Sequence, residues 1–186
     1  MKVILLGAQG SGKSTQAKLL AKKQNVPCIE MGQLFRDKSG DSNPDAIEIK
    51  RALDKGELVP DDIAIKFLHE RLKKSDVLSG YVLDGYPRNY AQLEGLDQDI
   101  DKVIYIKVSD EECIKRSIDR ARFDDNLTVL TKRLALYHQK TEPLLDYFRQ
   151  KGILEEVDGE RTIEEIEMDI KERIIDAKHK VSSYQK

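Results

Sequence analysis

The stretch "GAQGSGKST", Gly7 to Thr15, comes directly after "MKVILL" and constrains the fold more than any other part of the chain. It satisfies the spacing G-x-x-x-x-G-K-[ST], in which glycines let the backbone turn sharply and approach a ligand closely. Successive N–H groups then face one point at the start of a helix, where they hold an anion. The apolar run before the loop lacks polar alternation, so it reads as a strand covered on both faces of a parallel sheet. The "GKSTQAKLLAKKQN" that overlaps it reads as a helix with Ala17, Leu20 and Ala21 on one stripe. Gly10, Ser11, Gly12, Lys13, Ser14 and Thr15 are therefore candidate phosphate ligands. Lys13 is placed to reach the β- and γ-phosphates of a nucleoside triphosphate, and the Ser14 hydroxyl is a candidate ligand for Mg2+.

Strand and helix signals alternate downstream. "VPCIEM" (Val26 to Met31), "YVLD" (Tyr81 to Asp84), "KVIYIKV" (Lys102 to Val108) and "GILEEVDG" (Gly152 to Gly159) read as further strands. Helical patterns span Asp45 to Lys55, Asp61 to Lys73 and the charged "DEECIKRSIDRAR". Leu127, Leu130, Leu134 and Tyr137 recur at helical spacing, and Pro143 kinks or restarts that helix. Ile163, Ile166, Ile170 and Ile174 mark one face of a last amphipathic helix. The alternation implies an α/β fold, a parallel sheet of the P-loop NTPase type flanked by helices. A chain of 186 residues suffices for one core with small inserts.

The net charge is −2, from 32 basic and 34 acidic residues, so no nucleic acid or membrane partner is expected. Arginines do cluster between Arg116 and Arg122. Cys28 and Cys113 lack the number and spacing of a disulfide or zinc framework and read as reduced, packed thiols of a cytoplasmic protein. The apolar run "KVILL" is too short for a signal peptide or a membrane span. His69, His138 and His179 fall at polar helix positions and read as surface residues.

A phosphate loop alone does not name a function. The chain has no N-K-x-D, which a guanine-reading switch would carry. "GYVLDGYPRN" is more informative. Asp84 ends a strand and so lies at the carboxyl edge of the sheet beside the phosphate loop, where it suits Mg2+, directly or through water. Arg88 comes after a proline-stiffened turn and projects toward the same cleft. Together with "GQLFR", "GELVPD", "LDGYPRNYAQ", "RFDDN" and "KRLALYHQKTEPLLDYF", in that order, these motifs make the chain closely resemble the adenylate kinases, within the nucleoside monophosphate kinases, from Lys2 to about Ile174.

The resemblance implies a core (residues 1–29, 60–118 and 126–186), a helical insert over the monophosphate (residues 30–59) and a short lid over ATP (residues 119–125). It implies reversible transfer of the γ-phosphoryl group of MgATP to AMP, giving two ADP. By matching positions, Arg36 and Arg88 would hold the AMP phosphate. The backbone of Glu57, Leu58 and Val59 would line the adenine pocket, and Gln92 would hydrogen-bond the base. Met31, Gly85, Tyr86 and Pro87 would complete that site. Arg116 would pack on the ATP adenine, and the backbone near Arg161 would touch it. Lys13, Arg88, Arg120, Arg122 and Arg133 are the implied catalytic cations, Arg122 and Arg133 reaching AMP as well. Asp124 and Asp125 would orient the lid arginines. Physical chemistry agrees: transfer between two polyanions needs cations converging on one point, and guanidinium forks match phosphate oxygens. A closing lid excludes the water that would otherwise hydrolyse ATP.

The chain departs from the family at several positions. Gln9 stands for a proline, Ser14 for a glycine, Met31 for a threonine and Gln33 for an aspartate. The lid is shorter than that of the short-lid members and holds no cysteine or histidine cluster, so no zinc is expected beside the implied Mg2+. Met31 and Gln33 motivate a second reading, a kinase for CMP, UMP or dAMP. The altered loop and short lid motivate a third, an ATP-binding regulator with little turnover. A monomer is expected, because two swinging inserts need both flanks free.

Overall fold

A computed structural model of the protein describes residues 1–120 and 126–183, with the backbone alone from residue 175 onward. Five strands, β1 (Lys2–Leu6), β2 (Cys28–Glu30), β3 (Tyr81–Asp84), β4 (Lys102–Lys107) and β5 (Leu154–Asp158), form one sheet in the order β2-β3-β1-β4-β5. Every neighbouring pair runs parallel. The helices are α1 (Lys13–Gln24), α2 (Met31–Lys38), α3 (Pro44–Lys55), α4 (Asp61–Leu72), α5 (Asp110–Arg120), α6 (Leu127–Leu136), α7 (Leu144–Gln150) and α8 (Ile163–Ser183).

The strands lack alternation because both of their faces are covered. Val3, Leu5, Val82, Ile104 and Ile106 pack with Ala17, Leu20 and Ala21 of α1 and with Ile166, Ile170 and Ile174 of α8. Ile4, Leu6, Leu83, Val103 and Tyr105 belong to the larger cluster on the opposite face, with Phe67 and Leu68 of α4, Leu134 of α6 and Phe148 of α7. This is the double burial expected of an all-parallel sheet.

Two residues of the apolar stripes are not in the core. Leu127 and Ile163 are exposed, whereas Leu130, Leu134, Ile166, Ile170 and Ile174 are buried. Both are the first residues of their helices, where the stripe runs past the edge of the surface that it covers. The pattern of "VPCIEM" and of the residues after it does not announce helix α2; the strand part is only the three residues of β2. The turn "SGDSNP" ends as a helix start: the Asn43 side chain accepts from the Ala46 N–H at 2.9 Å, with Pro44 opening α3. Pro143 restarts the helix as expected, but a π-helical turn, Tyr137–Thr141, separates α6 from α7. Cys28 and Cys113 are both free thiols. Among the described residues, no helix is long and apolar enough to cross a membrane.

Charged side chains are joined across the β5 edge of the sheet. Asp169 of α8 pairs with Arg161 at 2.5 Å and with Arg173 at 2.5 Å; Arg173 also reaches Glu155, which pairs with Lys102 of β4 at 2.8 Å. Burial pushes the Asp169 carboxyl up, but hydrogen bonds from Arg173 and Arg161 outweigh it and hold the group below its ordinary value. A depressed carboxyl contributes stability above its unfolded pKa and loses it as pH falls through the folded one. Asp169→Asn is expected to cost about 1 kcal/mol at pH 7, a drop of a few degrees in Tm. The gap between variant and parent should close in thermal melts as pH falls below the ordinary aspartate range.

Candidate active site

The site forms where the carboxyl ends of β1 and β3 meet. The register sets Leu5 opposite Asp84, so the loop after β1 and the turn after β3 leave the sheet side by side. The first loop is held in a conformation open to glycine. Gly10 has φ 91°, and a Cβ there would lie 2.1 Å from the Cys113 carbonyl oxygen of α5. Helix α5 therefore backs the phosphate loop directly. Gly12, the residue before helix α1, supplies no side-chain cap. The Thr15 and Gln16 N–H groups bond to its carbonyl oxygen, and among the described residues no side chain occupies the helix start beside the loop.

Lys13 is buried, and its ammonium donates to the Ala8 carbonyl oxygen at 3.1 Å. Burial lowers its pKa to about 8; Asp84 opposes this, while Arg88 and Arg120 reinforce it. Ser14 donates its hydroxyl proton to Asp84 Oδ2 at 2.5 Å. Asp84 Oδ1 is buried without a hydrogen-bond partner among the described residues. A hydroxyl and a carboxylate with one oxygen to spare are a donor set suited to a hard divalent cation.

Beyond the loop lies a cleft of about 850 Å³, including its open mouth, lined by residues of α2, α3, α6 and the β3 turn. Arg36, Glu57, Leu58, Val59, Gly85, Tyr86, Arg88, Gln92 and Arg133 line it, nine positions that the family resemblance assigns to one site. Met31 and Pro87 are buried and are not among the lining residues. The Arg88 side chain donates to the Gly85 carbonyl oxygen at 2.9 Å, and Thr141 of the π-helical turn donates to the Arg88 carbonyl oxygen at 2.7 Å. Burial lowers the Arg88 pKa, and Arg133 adds to this, with Asp84 opposing. Arg36 donates to the Gln33 side-chain oxygen at 3.0 and 3.3 Å; the Gln33 amide in turn donates to Asp37 at 2.7 Å. So the departure from aspartate places a neutral acceptor against Arg36. Arg133 donates to the Leu53 carbonyl oxygen at 3.2 Å, and Lys132 pairs with Glu57 at 2.9 Å, tying α6 to the end of α3.

Lys13, Arg36 and Arg88 share a property. Each donates to a neutral oxygen, and none forms an ion pair among the described residues. Their charge is held in place without being neutralised, which is the condition for receiving an anion.

The other expected site residues fall on the far side of the loop. Arg116 pairs with Glu112 at 2.7 Å and donates to the Gly159 carbonyl oxygen at 2.9 Å. Arg161 donates to the Asp158 carbonyl oxygen at 3.2 Å. Arg116 thus holds the segment after β5, and Arg161, itself in that segment, folds back on the last residue of β5. Arg122, Asp124 and Asp125 lie outside the described residues. His69 and His138 are exposed, as expected, but His138 bridges Asp110 at 3.0 Å and Glu142 at 2.8 Å. The side chain of His179 lies outside the described ones. Gln9, Tyr137 and Thr141 also line the cleft; they lie within the motifs but carry no role in the sequence reading. The π-helical turn, which turns Thr141 toward Arg88, has no sequence signature.

A family model described as Adenylate kinase matches residues 5–153. The adenylate kinase of Pseudarthrobacter chlorophenolicus is 39% identical over 176 residues, spanning 89% of this chain and 92% of its own. That of Prochlorococcus marinus is 39% identical over 170 residues, with 88% and 92% covered. That of Thermobifida fusca is 37% identical over 177 residues, with 89% and 94% covered.

A polyphosphate beside Lys13 stabilises its charged form. Above about pH 8, binding of a nucleoside triphosphate should therefore take up a proton, and affinity should fall as pH rises further. Calorimetric titrations at pH 9 in two buffers of different ionisation enthalpy check this. The apparent binding enthalpies should differ between buffers at pH 9 and much less at pH 7.

Proposed function

The chain belongs to the adenylate kinase family, and we propose that the cations gathered between its phosphate loop and its cleft carry the family's reaction. That reaction is the reversible transfer of the γ-phosphoryl group of ATP to AMP, giving two ADP. The alternatives of another monophosphate acceptor, or of a regulator with little turnover, are not favoured.

Gly10 to Thr15 cradle the triphosphate, and Lys13 spans its β- and γ-groups. Arg116 and the backbone near Arg161 flank the ATP base. Arg36 and Arg88 hold the AMP phosphate, Glu57, Leu58 and Val59 line its base pocket, and Gln92 contacts the base. Met31 and Pro87 act from behind the surface of the cleft. An AMP phosphate oxygen attacks the γ-phosphorus in line; the bond to the β-γ bridging oxygen breaks, and that oxygen leaves on ADP. The protein supplies no nucleophile. Lys13, Arg88, Arg120, Arg122 and Arg133 stabilise the charge spread over the transferring group. Ser14 and Asp84 fit Mg2+, which when bound offsets the charge of the β- and γ-phosphates.

Residues 30–59 form the insert that closes over AMP, residues 119–125 the lid, and the rest the core. The lid needs no zinc. The protein acts as a cytoplasmic monomer on free nucleotides. The observation that carries this reading is the juxtaposition of two sites: Asp84 takes the Ser14 hydroxyl of the phosphate loop at 2.5 Å, and four residues on, Arg88 lines the cleft with Arg36, Gln92 and Arg133.

Coupled detection of ADP from MgATP with AMP tests it. The parent should form ADP in an AMP-dependent way, well above its rate with CMP or UMP. Arg88→Ala should lose about a thousandfold in kcat/KM for AMP while ATP binding stays within a few-fold.

A further inference from the structure

Gln92 is held more completely than a residue that only contacts a ligand needs to be. It is 2% exposed. Its backbone carbonyl oxygen accepts from the Tyr86 hydroxyl at 2.5 Å, and its backbone N–H donates to Asn89 Oδ1 at 3.1 Å. Its side-chain Oε1 accepts from the Arg88 backbone N–H at 2.8 Å, and its Nε2 donates to Asp61 Oδ1 at 2.8 Å. Asp61 opens α4 and also accepts from Asn89 Nδ2 at 2.8 Å on the same oxygen.

The two side-chain partners of Gln92 are both one-way. A backbone N–H only donates, and an ionised carboxylate only accepts. A carboxamide is nearly symmetric in shape, so its two orientations differ only in which end donates. Reversing Gln92 would set its oxygen against the Asp61 carboxylate and its NH2 against the Arg88 N–H. Each bond lost in a buried site leaves unpaired polar groups behind. The amide is thus locked in one polarity, with one N–H and one lone pair left over.

We propose that Asp61 is a positioning residue that sets base specificity by fixing the polarity of Gln92. This rests on the proposed function, in which Gln92 contacts the AMP base. Adenine offers an acceptor at N1 beside a donor at the 6-amino group. Hypoxanthine has the same shape but the opposite pattern, a donor at N1 and an acceptor at O6. An amide free to turn over would serve both bases; a locked one serves one and meets the other donor to donor. Sites of this kind discriminate strongly because the mismatch leaves buried groups unpaired. Asp61 would not touch either nucleotide, and its effect would show as a difference between two acceptors.

The test measures kcat and KM with AMP and with inosine monophosphate, at saturating MgATP, for the parent, Asp61→Asn, Asp61→Ala and Gln92→Leu. Both Asp61 variants should lower the AMP-to-IMP ratio of kcat/KM several-fold, less than Gln92→Leu because the Arg88 N–H still opposes reversal, with kcat for AMP changed far less than the ratio. Gln92→Leu should lower the ratio too. If Gln92→Leu collapses the ratio and the Asp61 variants leave it within twofold, or lower both acceptors equally, the role given to Asp61 is wrong while Gln92 still reads the base. If Gln92→Leu also leaves the ratio untouched, the contact between Gln92 and the base fails, and the proposal fails with it. An independent measurement uses the parent alone. The Gln92 side-chain amide protons, assigned by NMR through their loss in Gln92→Leu, should exchange slowly with solvent. Rapid exchange would remove the lock whatever the variants do.

Discussion

Crowding of like charge is the constraint on which the rest of the structure depends. Arg88 and Arg120 lie close enough to Lys13, and Arg133 close enough to Arg88, for like charge to act between them, while Asp84 opposes it at Lys13 and Arg88. Burial, reinforced by the like charge of Arg88 and Arg120, lowers the Lys13 pKa to about 8. Three cations of the site are anchored on neutral oxygens: Lys13 on Ala8, Arg88 on Gly85 and Arg36 on Gln33. Carboxylates would have relieved the repulsion and consumed the charge. Away from the cleft the chain does the opposite, pairing Arg161 and Arg173 with Asp169 and Lys102 with Glu155.

The parallel sheet makes the crowding possible. β1 lies between β3 and β4, so the phosphate loop and the Asp84–Arg88 turn emerge from adjacent carboxyl ends. The backing of Gly10 by α5, and of Arg88 by Thr141, then fixes those loops from the outside. Around the acceptor cleft the same principle applies to neutral groups. Gln92 is set by partners that cannot reverse their roles. In the proposed reading, charge places the phosphates, and the hydrogen-bond polarity of Gln92 selects the base that accompanies them.

Features carried by contiguous residues are legible in the sequence. The phosphate loop, β3 and its Asp84–Arg88 turn depend on local backbone chemistry, and they lie where their patterns put them. Burial on both faces of the sheet is announced by runs without alternation. Features made by distant partners are not legible. The bond between Asp61 and Gln92 joins residues 31 apart, and that between Thr141 and Arg88 joins residues 53 apart. No periodicity encodes either. α2 escapes a reading of pattern because its eight residues mix small, polar and apolar types without a long stripe. Leu127 and Ile163 fit their helical stripes yet are exposed, since a stripe defines a face but not where its cover ends. The roles expected of Arg122, Asp124 and Asp125 fall outside the described residues.

The most direct measurement is a crystal structure with two adenosines joined by five phosphates, a ligand long enough to occupy both halves of the cleft at once. The account predicts one adenosine near Arg116 and Arg161 and the other beside Gln92. The phosphate chain should run past Lys13 and Arg88, each within hydrogen-bond distance of an oxygen. A ligand bound with its second adenosine outside the cleft, or with Arg88 turned away from the phosphates, would contradict the claim that these cations converge on a single transferring group.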